Sequence, residues 1–251
     1  MKKEYITEVA MSKIIKFLRE VRGIYVTSIK KLKNFIEAII WISRNGAPWR
    51  ELPEKYGKWN SVFHRFNEWS KKEIWHKLHQ HCIEDPDLEY IMIDSTIVRA
   101  HASAAGYKKG QQKEEGLGRS VGGFSTKIHA KVDALGNPLQ FIITAGQVND
   151  ITQANALTED LDLSDCLGDK GYDSDPFRAG IRQKNGTPVI PPRSNRKVRI
   201  EYDKELYKER YRIECFFSKI KYFRRIFSRF DKSKRNFFSF VSLVGALIWL
   251  R

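Results

Sequence analysis

Three acidic residues lie in settings where a carboxylate could carry out chemistry. Asp94 interrupts the apolar, β-rich run from Tyr90 to Val98, which predicts a buried strand. Asp169 follows a short apolar stretch at a glycine-flanked turn, which predicts an acid at a strand tip. Glu214 lies on a predicted helix. Because burying an unpaired carboxylate costs several kcal/mol, the Asp94 strand needs a cation or a metal ion nearby.

Together the three acids predict two-metal phosphodiester chemistry. Hard oxygen ligands select Mg²⁺ or Mn²⁺ over zinc, and three carboxylates can hold two ions about 3.5 to 4 Å apart. One ion activates a water or a 3′-hydroxyl, and the other stabilises the leaving oxygen. The candidate catalytic and metal-binding residues are therefore Asp94, Asp169 and Glu214. The alternative is that each aspartate is an ordinary strand-end or turn residue, which fits one acid better than three.

The residues around Glu214 predict a basic and aromatic helix face. Tyr207, Arg210, Glu214 and Lys221 fall at offsets 0, 3, 7 and 14, within a helical stripe about 60° wide. Apolar residues occupy the adjoining face and allow the helix to pack on a core: Leu206, Ile213, Phe216, Phe217 and Ile220. The alternative is a solvated face with an Arg210–Glu214 pair that contributes only about 0.3 kcal/mol.

The charge of the chain predicts a polyanionic partner. The 251 residues carry a net charge of +15, with a pI near 9.7. Residues 1–85 carry 17 Lys and Arg against 10 acids, and residues 193–235 carry 16 against 6. Residues 86–192 instead carry 11 against 14. An acidic centre suited to metal is thus flanked by two basic segments suited to the DNA backbone.

Cysteine usage and hydropathy predict a protein without disulfides or membrane segments. Cys82, Cys166 and Cys215 are widely spaced, which indicates intracellular thiols rather than a disulfide framework or a zinc site. The start has no apolar signal segment. The apolar stretch from Phe237 to Leu250 is too short to span a bilayer and predicts a buried helix. We therefore expect no membrane partner and a cytoplasmic location.

The first third of the chain predicts a small all-α domain. Its three helices cover Ile29–Ile42, Trp59–Trp69 and Lys72–Glu84. A tight glycine- and proline-containing corner makes them similar to a helix-turn-helix, in which the second helix, with Arg65, would read DNA. Its aromatic residues are available as core: Trp59, Phe63, Phe66 and Trp69. The alternative is a helical packing or dimerisation module. Asp85–Asp87 predicts the boundary between a DNA-binding domain, 1–85, and a catalytic domain, 86–251.

The rest of the chain predicts an α/β fold. The Asp94 strand is followed by an exposed loop over Gly106–Gly123. Further strands are predicted at Phe124–Val132, at Pro138–Thr144, before Asp169 and at Thr187–Ile190. Helices are predicted at Asp150–Asp162, between the third and fourth of all these strands, at Asp175–Lys184, and around Glu214. This order is that of an RNase H-like fold, a mixed sheet flanked by helices. Its first and fourth strands are neighbours, which would bring Asp94 and Asp169 together. Lys127 is a candidate phosphate contact, although a solvated strand lysine fits as well.

The motifs along the chain resemble those of IS5-type, IS4-related insertion-sequence DDE transposases. They are Ile93–Thr96, Arg99–His101, Gly118–Ser120, Ser125–His129, Gly168–Asp173, Ile190–Arg193, the Tyr207–Lys221 stripe and Arg224–Ile226, preceded by Gly46–Arg50, Leu52–Pro53 and Trp59. The resemblance implies that Asp94, Asp169 and Glu214 form the metal triad, with two Mg²⁺ or Mn²⁺ ions when DNA is bound. It also implies that Tyr207, Arg210 and Lys221 contact transposon-end DNA near the scissile phosphate.

The same resemblance implies the partners. They are double-stranded DNA, as terminal inverted repeats and as target, and a second copy of the chain on paired ends, in the bacterial cytoplasm at the nucleoid. The segment before Gly46 matches less well, so a shortened N-terminus is one expectation. Two alternatives remain. A catalytically silent, transposase-derived DNA-binding protein would keep the N-terminal domain, and a host nuclease of RNase H-like fold would explain the triad but not that domain.

Overall fold

The structure, a computed structural model, describes residues 6–106, 114–120, 122–160, 162 and 164–251. The chain divides into two compact units. The first contains Met1–Glu84, His101–Gly106 and Ile220–Arg251, and the second contains Asp85–Ala100 and Tyr107–Lys219. The C-terminal segment thus belongs to the unit of the N-terminal helices, although the sequence analysis grouped it with residues 86–251. Which unit performs which task stays a prediction.

In chain order, the helices are α1 (Glu8–Glu20), α2 (Ile29–Asn45), α3 (Trp59–Lys71), α4 (Ile74–His81), α5 (Ile151–Leu157), α6 (Asp175–Gln183), α7 (Lys204–Lys208), α8 (Tyr211–Lys221), α9 (Arg224–Phe227) and α10 (Lys234–Trp249). The strands are β1 (Tyr90–Ala100), β2 (Gly118–Ser120), β3 (Gly123–Val132), β4 (Pro138–Ala145), β5 (Asp165–Leu167), β6 (Pro188–Val189) and β7 (Ser228–Arg229). Single 3₁₀ turns lie at Trp49–Glu51, Glu54–Tyr56, Ala102–Ala104 and Lys170–Tyr172.

Local sequence signals set the ends of α2. The Ser28 hydroxyl accepts a hydrogen bond from the backbone N–H of Lys31 at 3.3 Å, which caps the first turn. Gly46 ends the helix in the left-handed conformation, with φ of +63°, and its N–H donates to the Ile42 carbonyl. The prediction of a helix between these two signals is confirmed. Helix α1 was not predicted, although Thr7 caps it and its apolar residues recur at helical spacing.

The core of the first unit is aromatic. Phe66 of α3 stacks on Phe240 of α10 with ring centroids 4.5 Å apart, and both side chains are fully buried. Trp69 is buried as predicted, but Trp59 is 37% exposed, so its assignment to the core was wrong. α10 is the buried helix that its apolar sequence predicts. Among the described residues, no helix is both long and apolar enough to cross a membrane.

The second unit is built on a mixed sheet with the strand order β4-β3-β1-β5-β6, and β2 pairs with the start of β3. β3 is antiparallel to both β1 and β4, whereas β1, β5 and β6 are parallel. This is the RNase H-like arrangement that the order of elements predicts. The first and fourth of those predicted strands, β1 and β5, are neighbours, as expected.

The two faces of β1 have different roles. Ile91 and Ile93 pack into an apolar cluster with α5 and α6. Successive side chains of a strand point to opposite faces, so Asp94 lies on the other face. There the register aligns Asp94 with Ala130 and Ala130 with Phe141, and Phe141 stacks on Phe216 of α8 at 6.0 Å. The sheet therefore presents Asp94 to the side on which α8 packs.

Two predictions about this unit need correction. The stripe from Tyr207 to Lys221 does not lie on one continuous helix, because α7 ends at Lys208 and α8 begins at Tyr211. Backbone N–H groups in this junction donate to carbonyls three residues back, as in Ile213 to Arg210 at 3.2 Å. The predicted loop over 106–123 lies partly outside the described residues, and its described part contains β2, which was not predicted.

Candidate active site

Asp94 is held in the middle of β1 in a largely buried position. Its side chain is 17% exposed. Its Oδ1 accepts the backbone N–H of Ser95 at 2.7 Å, and its Oδ2 accepts Nη1 of Arg210 at 2.7 Å. Burial raises the pKa of Asp94 above its ordinary value, with a contribution from the charge of Asp169, although Arg210 and the Ser95 N–H act in the opposite direction. Arg210, in the junction between α7 and α8, thus supplies the neighbouring cation that a buried acid requires.

Asp169 lies just beyond the neighbouring strand. The parallel register aligns Met92 of β1 with Leu167 of β5, so Asp94 and Asp169 each follow an aligned pair by two residues. Asp169 begins the 3₁₀ turn Lys170–Tyr172, and its Oδ1 accepts the backbone N–H of Gly171 at 2.8 Å. A Cβ at Gly171 would lie 2.8 Å from that oxygen, so a larger residue here would displace the Asp169 carboxylate.

One arginine joins Glu214 to Asp94. Nη2 of Arg210 donates to Oε1 of Glu214 at 2.6 Å, while Nη1 of the same guanidinium binds Asp94. Arg210 is only 17% exposed, whereas Glu214 is 60% exposed. Burial alone would lower the pKa of Arg210, but the carboxylates of Asp94 and Glu214 raise that pKa above its ordinary value. The Tyr207 ring centroid lies 6.0 Å from the guanidinium carbon.

The donor set fits a hard divalent cation in type, because Asp94, Asp169 and Glu214 offer only carboxylate oxygens. Its present arrangement is different. Within the described parts of the chain, no group of three His, Cys, Asp or Glu side chains is close enough to hold an ion. The guanidinium of Arg210 instead occupies one oxygen of each of two acids. In this conformation, the positive charge of Arg210 therefore balances the two carboxylates in place of a metal ion.

Lys127 lies in a buried polar network on the opposite face of the sheet. Its ammonium donates to the Val148 carbonyl at 2.7 Å and to Oδ1 of Asp150 at 2.8 Å. The same Asp150 oxygen accepts the Ser95 hydroxyl at 2.8 Å. Lys127 is only 8% exposed, so its ammonium is engaged inside the protein. We therefore correct the prediction that Lys127 contacts phosphate and omit it from the proposed DNA-contacting residues.

His129 completes this network as a structural residue. It is fully buried, and its Nε2 lies 2.8 Å from the Thr144 hydroxyl. Burial lowers its pKa to about 4, against a weaker opposing effect of Asp150. The side chain is therefore a neutral hydrogen-bonding group at neutral pH.

The two remaining predicted DNA contacts lie in the first unit. The Arg65 guanidinium carbon lies 4.4 Å from the Phe35 ring centroid and 4.8 Å from that of Trp69, and burial lowers its pKa. Arg65 thus packs on two rings of its own helical unit, which leaves less of it to reach a base edge. Lys221 is the last residue of α8. Both assignments stay predictions.

Sequence reasoning missed an arginine cluster around Asp173. The Asp173 side chain is 1% exposed and binds Arg178, Arg196 and the backbone N–H of Arg193. Burial would raise its pKa, but these hydrogen bonds outweigh burial and lower the pKa to about 2. Asp173 and Arg193 end two of the sequence motifs, Gly168–Asp173 and Ile190–Arg193, and this position was the available signal. Neither residue was given a role.

Family models and sequence relatives match this chain. A family model described as the transposase DDE domain matches residues 85–249, and a model for transposases of the IS4/5 family matches residues 12–79. A protein assigned as the transposase of insertion sequence element IS6501 of Brucella ovis is 42% identical over 129 residues, which cover 51% of this chain and 99% of that protein. One assigned to IS402 of Burkholderia cepacia is 31% identical over 135 residues, which cover 49% of this chain and 62% of that protein.

Two solved structures are similar at a lower level. The piggyBac transposase synaptic complex with hairpin DNA has a TM-score of 0.43 and 13% identity, over 77% of this chain and 50% of that chain. A pre-cleavage Mos1 transpososome has a TM-score of 0.28 and 10% identity, over 94% and 90%. Because both TM-scores are below 0.5, the assignment rests on the family models and the sequence relatives. On these grounds the chain belongs to the family of transposases that carry the DDE domain.

Proposed function

We propose that this chain is an active DNA transposase, which cleaves and joins DNA at insertion-sequence ends by metal-dependent phosphodiester hydrolysis and strand transfer. Asp94, Asp169 and Glu214 are its catalytic acids. The observation that supports the proposal is the placement of these acids: Asp94 and Asp169 follow aligned residues of adjacent parallel strands, and Arg210 binds both Glu214 and Asp94.

The chemistry of the acids supports Mg²⁺ or Mn²⁺ as the cofactor, with two ions when DNA is bound. Bound ions of this kind activate the attacking oxygen and stabilise the leaving oxygen. Asp94 and Asp169 are fixed by backbone N–H groups, from Ser95 and Gly171, so their orientation is set before DNA arrives. Glu214 is exposed on α8 and is the third carboxylate of the proposed set.

Arg210 gives the site two states. In this structure its guanidinium forms ion pairs with Asp94 and Glu214. A DNA phosphate offers a guanidinium the same bidentate geometry as a carboxylate does. We expect the phosphate to draw Arg210 away from the acids, which frees their oxygens for metal at the moment when substrate is bound. The same residue thereby contributes to DNA contact, together with Tyr207 and Lys221.

The partner in this proposal is double-stranded DNA, as terminal repeats and as target, held by two copies of the chain on paired ends. The net charge of +15 supports phosphate binding, and basic residues are concentrated in residues 1–85 and 193–235. Proteins similar to this chain come from bacteria, which supports a cytoplasmic, nucleoid-associated activity.

The experiment is single-turnover cleavage of a duplex that carries the element's end, with Mn²⁺ and saturating protein. Wild type should cleave, and Asp94→Asn or Asp169→Asn should reduce the rate by orders of magnitude while DNA binding persists, because each removes a metal anchor. Glu159→Gln, an exposed acid of the same unit, is the matched control. Full activity of either aspartate variant would refute the triad. If wild type binds ends but never cleaves, the chain is a catalytically silent DNA-binding protein.

A further inference from the structure

The Asp173 carboxylate is a saturated hub of arginine contacts. Oδ1 accepts Nε of Arg178 and Nη2 of Arg196, each at 2.9 Å. Oδ2 accepts Nε of Arg196 at 2.6 Å and the backbone N–H of Arg193 at 2.8 Å. These four bonds fill the acceptor capacity of a carboxylate. Asp173 therefore joins α6, through Arg178, to the basic segment that leads to α7.

The segment anchored in this way also holds the turn that carries Asp169. The Arg193 guanidinium donates to the Gly171 carbonyl at 2.9 Å and to the Lys170 carbonyl at 3.2 Å. The N–H of Gly171 donates to Oδ1 of Asp169. A continuous path of hydrogen bonds thus runs from Asp173 through Arg193 to the peptide that orients the Asp169 carboxylate.

We propose that Asp173 is a positioning residue, which acts through Arg193 and Arg196 to fix the Asp169 carboxylate for metal binding; this inference rests on the proposed function. Arg196 sets the position of the segment by its two bonds to Asp173, and Arg193 transmits that position to the turn.

Energetics favour a positional role over a purely stabilising one. A buried ion pair is weak grounds for stability, because the cost of desolvating two charges offsets most of their attraction. Partners that orient a ligand residue have a clearer effect, since their loss typically lowers metal affinity or activity about 10- to 100-fold. Asp173 and its arginines are such partners, because they contact the turn that holds Asp169 rather than the Asp169 carboxylate itself.

The test uses the full chain and a variant that keeps the buried Asp173. Arg196→Gln removes the bidentate contact, and Arg196 is 20% exposed, so the substitution disturbs the interior less than a change at Asp173, which is 1% exposed. Arg182→Gln, an exposed arginine at the end of α6, removes the same charge elsewhere and is the control. Free Mn²⁺ is measured by electron paramagnetic resonance in the presence of the cleaved terminal duplex, and single-turnover cleavage is measured across Mn²⁺ concentrations.

Arg196→Gln should weaken Mn²⁺ binding, and raise the Mn²⁺ concentration for half-maximal cleavage, by about tenfold. Arg182→Gln should change neither. Arg196→Lys should bind DNA with the salt dependence of wild type but should not restore the Mn²⁺ midpoint, because a lysine keeps the charge and loses the fork of donors. If Arg196→Gln matches Arg182→Gln in Mn²⁺ binding, the inference is wrong while the triad stands. If wild type does not cleave or Asp169→Asn does, the proposed function itself fails.

Discussion

Removing the Arg210 guanidinium should weaken the fold and strengthen metal binding at once. Breaking a fully buried ion pair costs about 3 to 5 kcal/mol, and a surface pair contributes at most about 1 kcal/mol. Asp94 and Arg210 are each 17% exposed, and Asp94 keeps the Ser95 N–H. We therefore expect Arg210→Gln to lower the free energy of unfolding by about 2 kcal/mol. The Glu214 contact adds little, because that carboxylate is 60% exposed.

The same loss should favour Mn²⁺ in the DNA-free chain. An ion no longer has to displace a guanidinium worth about 2 kcal/mol, and each 1.4 kcal/mol is a factor of ten, so affinity should rise about ten- to thirtyfold. Urea unfolding at pH 7, with and without Mn²⁺, measures both effects, because ligand stabilisation reports the dissociation constant. Arg212→Gln is the control, since Arg212 pairs with Glu209, which is not one of the three proposed catalytic acids. An unchanged Mn²⁺ affinity in Arg210→Gln would show that the guanidinium does not compete with metal.

Two further predictions concern His129 and Gly171. The pKa of His129 in the folded protein is about 4, below its ordinary 6.5, so the unfolded chain takes up a proton first and the free energy of unfolding falls by up to about 3 kcal/mol as the pH drops from 6.5 to 4. The free energy of unfolding of His129→Asn, measured with urea, should therefore depend less on pH than that of wild type. An unchanged pH dependence would contradict a buried neutral histidine. Gly171→Ala should slow single-turnover cleavage, because its Cβ would meet the Asp169 carboxylate at 2.8 Å, whereas Gly180→Ala, with nothing within 4 Å, should not.

Much of the framework could be predicted because its signals are local. Ser28 and Gly46 bound α2, and alternating or continuous apolar runs located β1, β3 and β4. The pairing of β1 with β5 followed from the order of elements, and it brought Asp94 and Asp169 together. Trp59 was wrongly assigned to the core because the aromatic residues of α3 cover a wide face of the helix, and the sequence does not show which ring stays outside the core.

The electrostatic partners could not be predicted, because they depend on tertiary placement. Spacing on a helix gave Arg210 one partner, Glu214, and could not reveal the second, Asp94, which is 116 residues away. Lys127 lies on a strand that is buried on both faces, so the usual reasoning from a solvated strand face failed. The hub at Asp173 joins residues from three segments, and only their meeting in space gives it a role.

The most direct test of the account is the position of the metal in the DNA-bound protein. Crystals of the complex with a cleaved terminal duplex and Mn²⁺ would be measured at an anomalous edge. We expect anomalous density within coordination distance of Asp94 and Asp169, with Glu214 turned toward it and Arg210 moved from Asp94 to a phosphate. Manganese bound elsewhere, or an Asp94–Arg210 pair that is intact in the complex, would contradict the assignment of these acids as the catalytic centre.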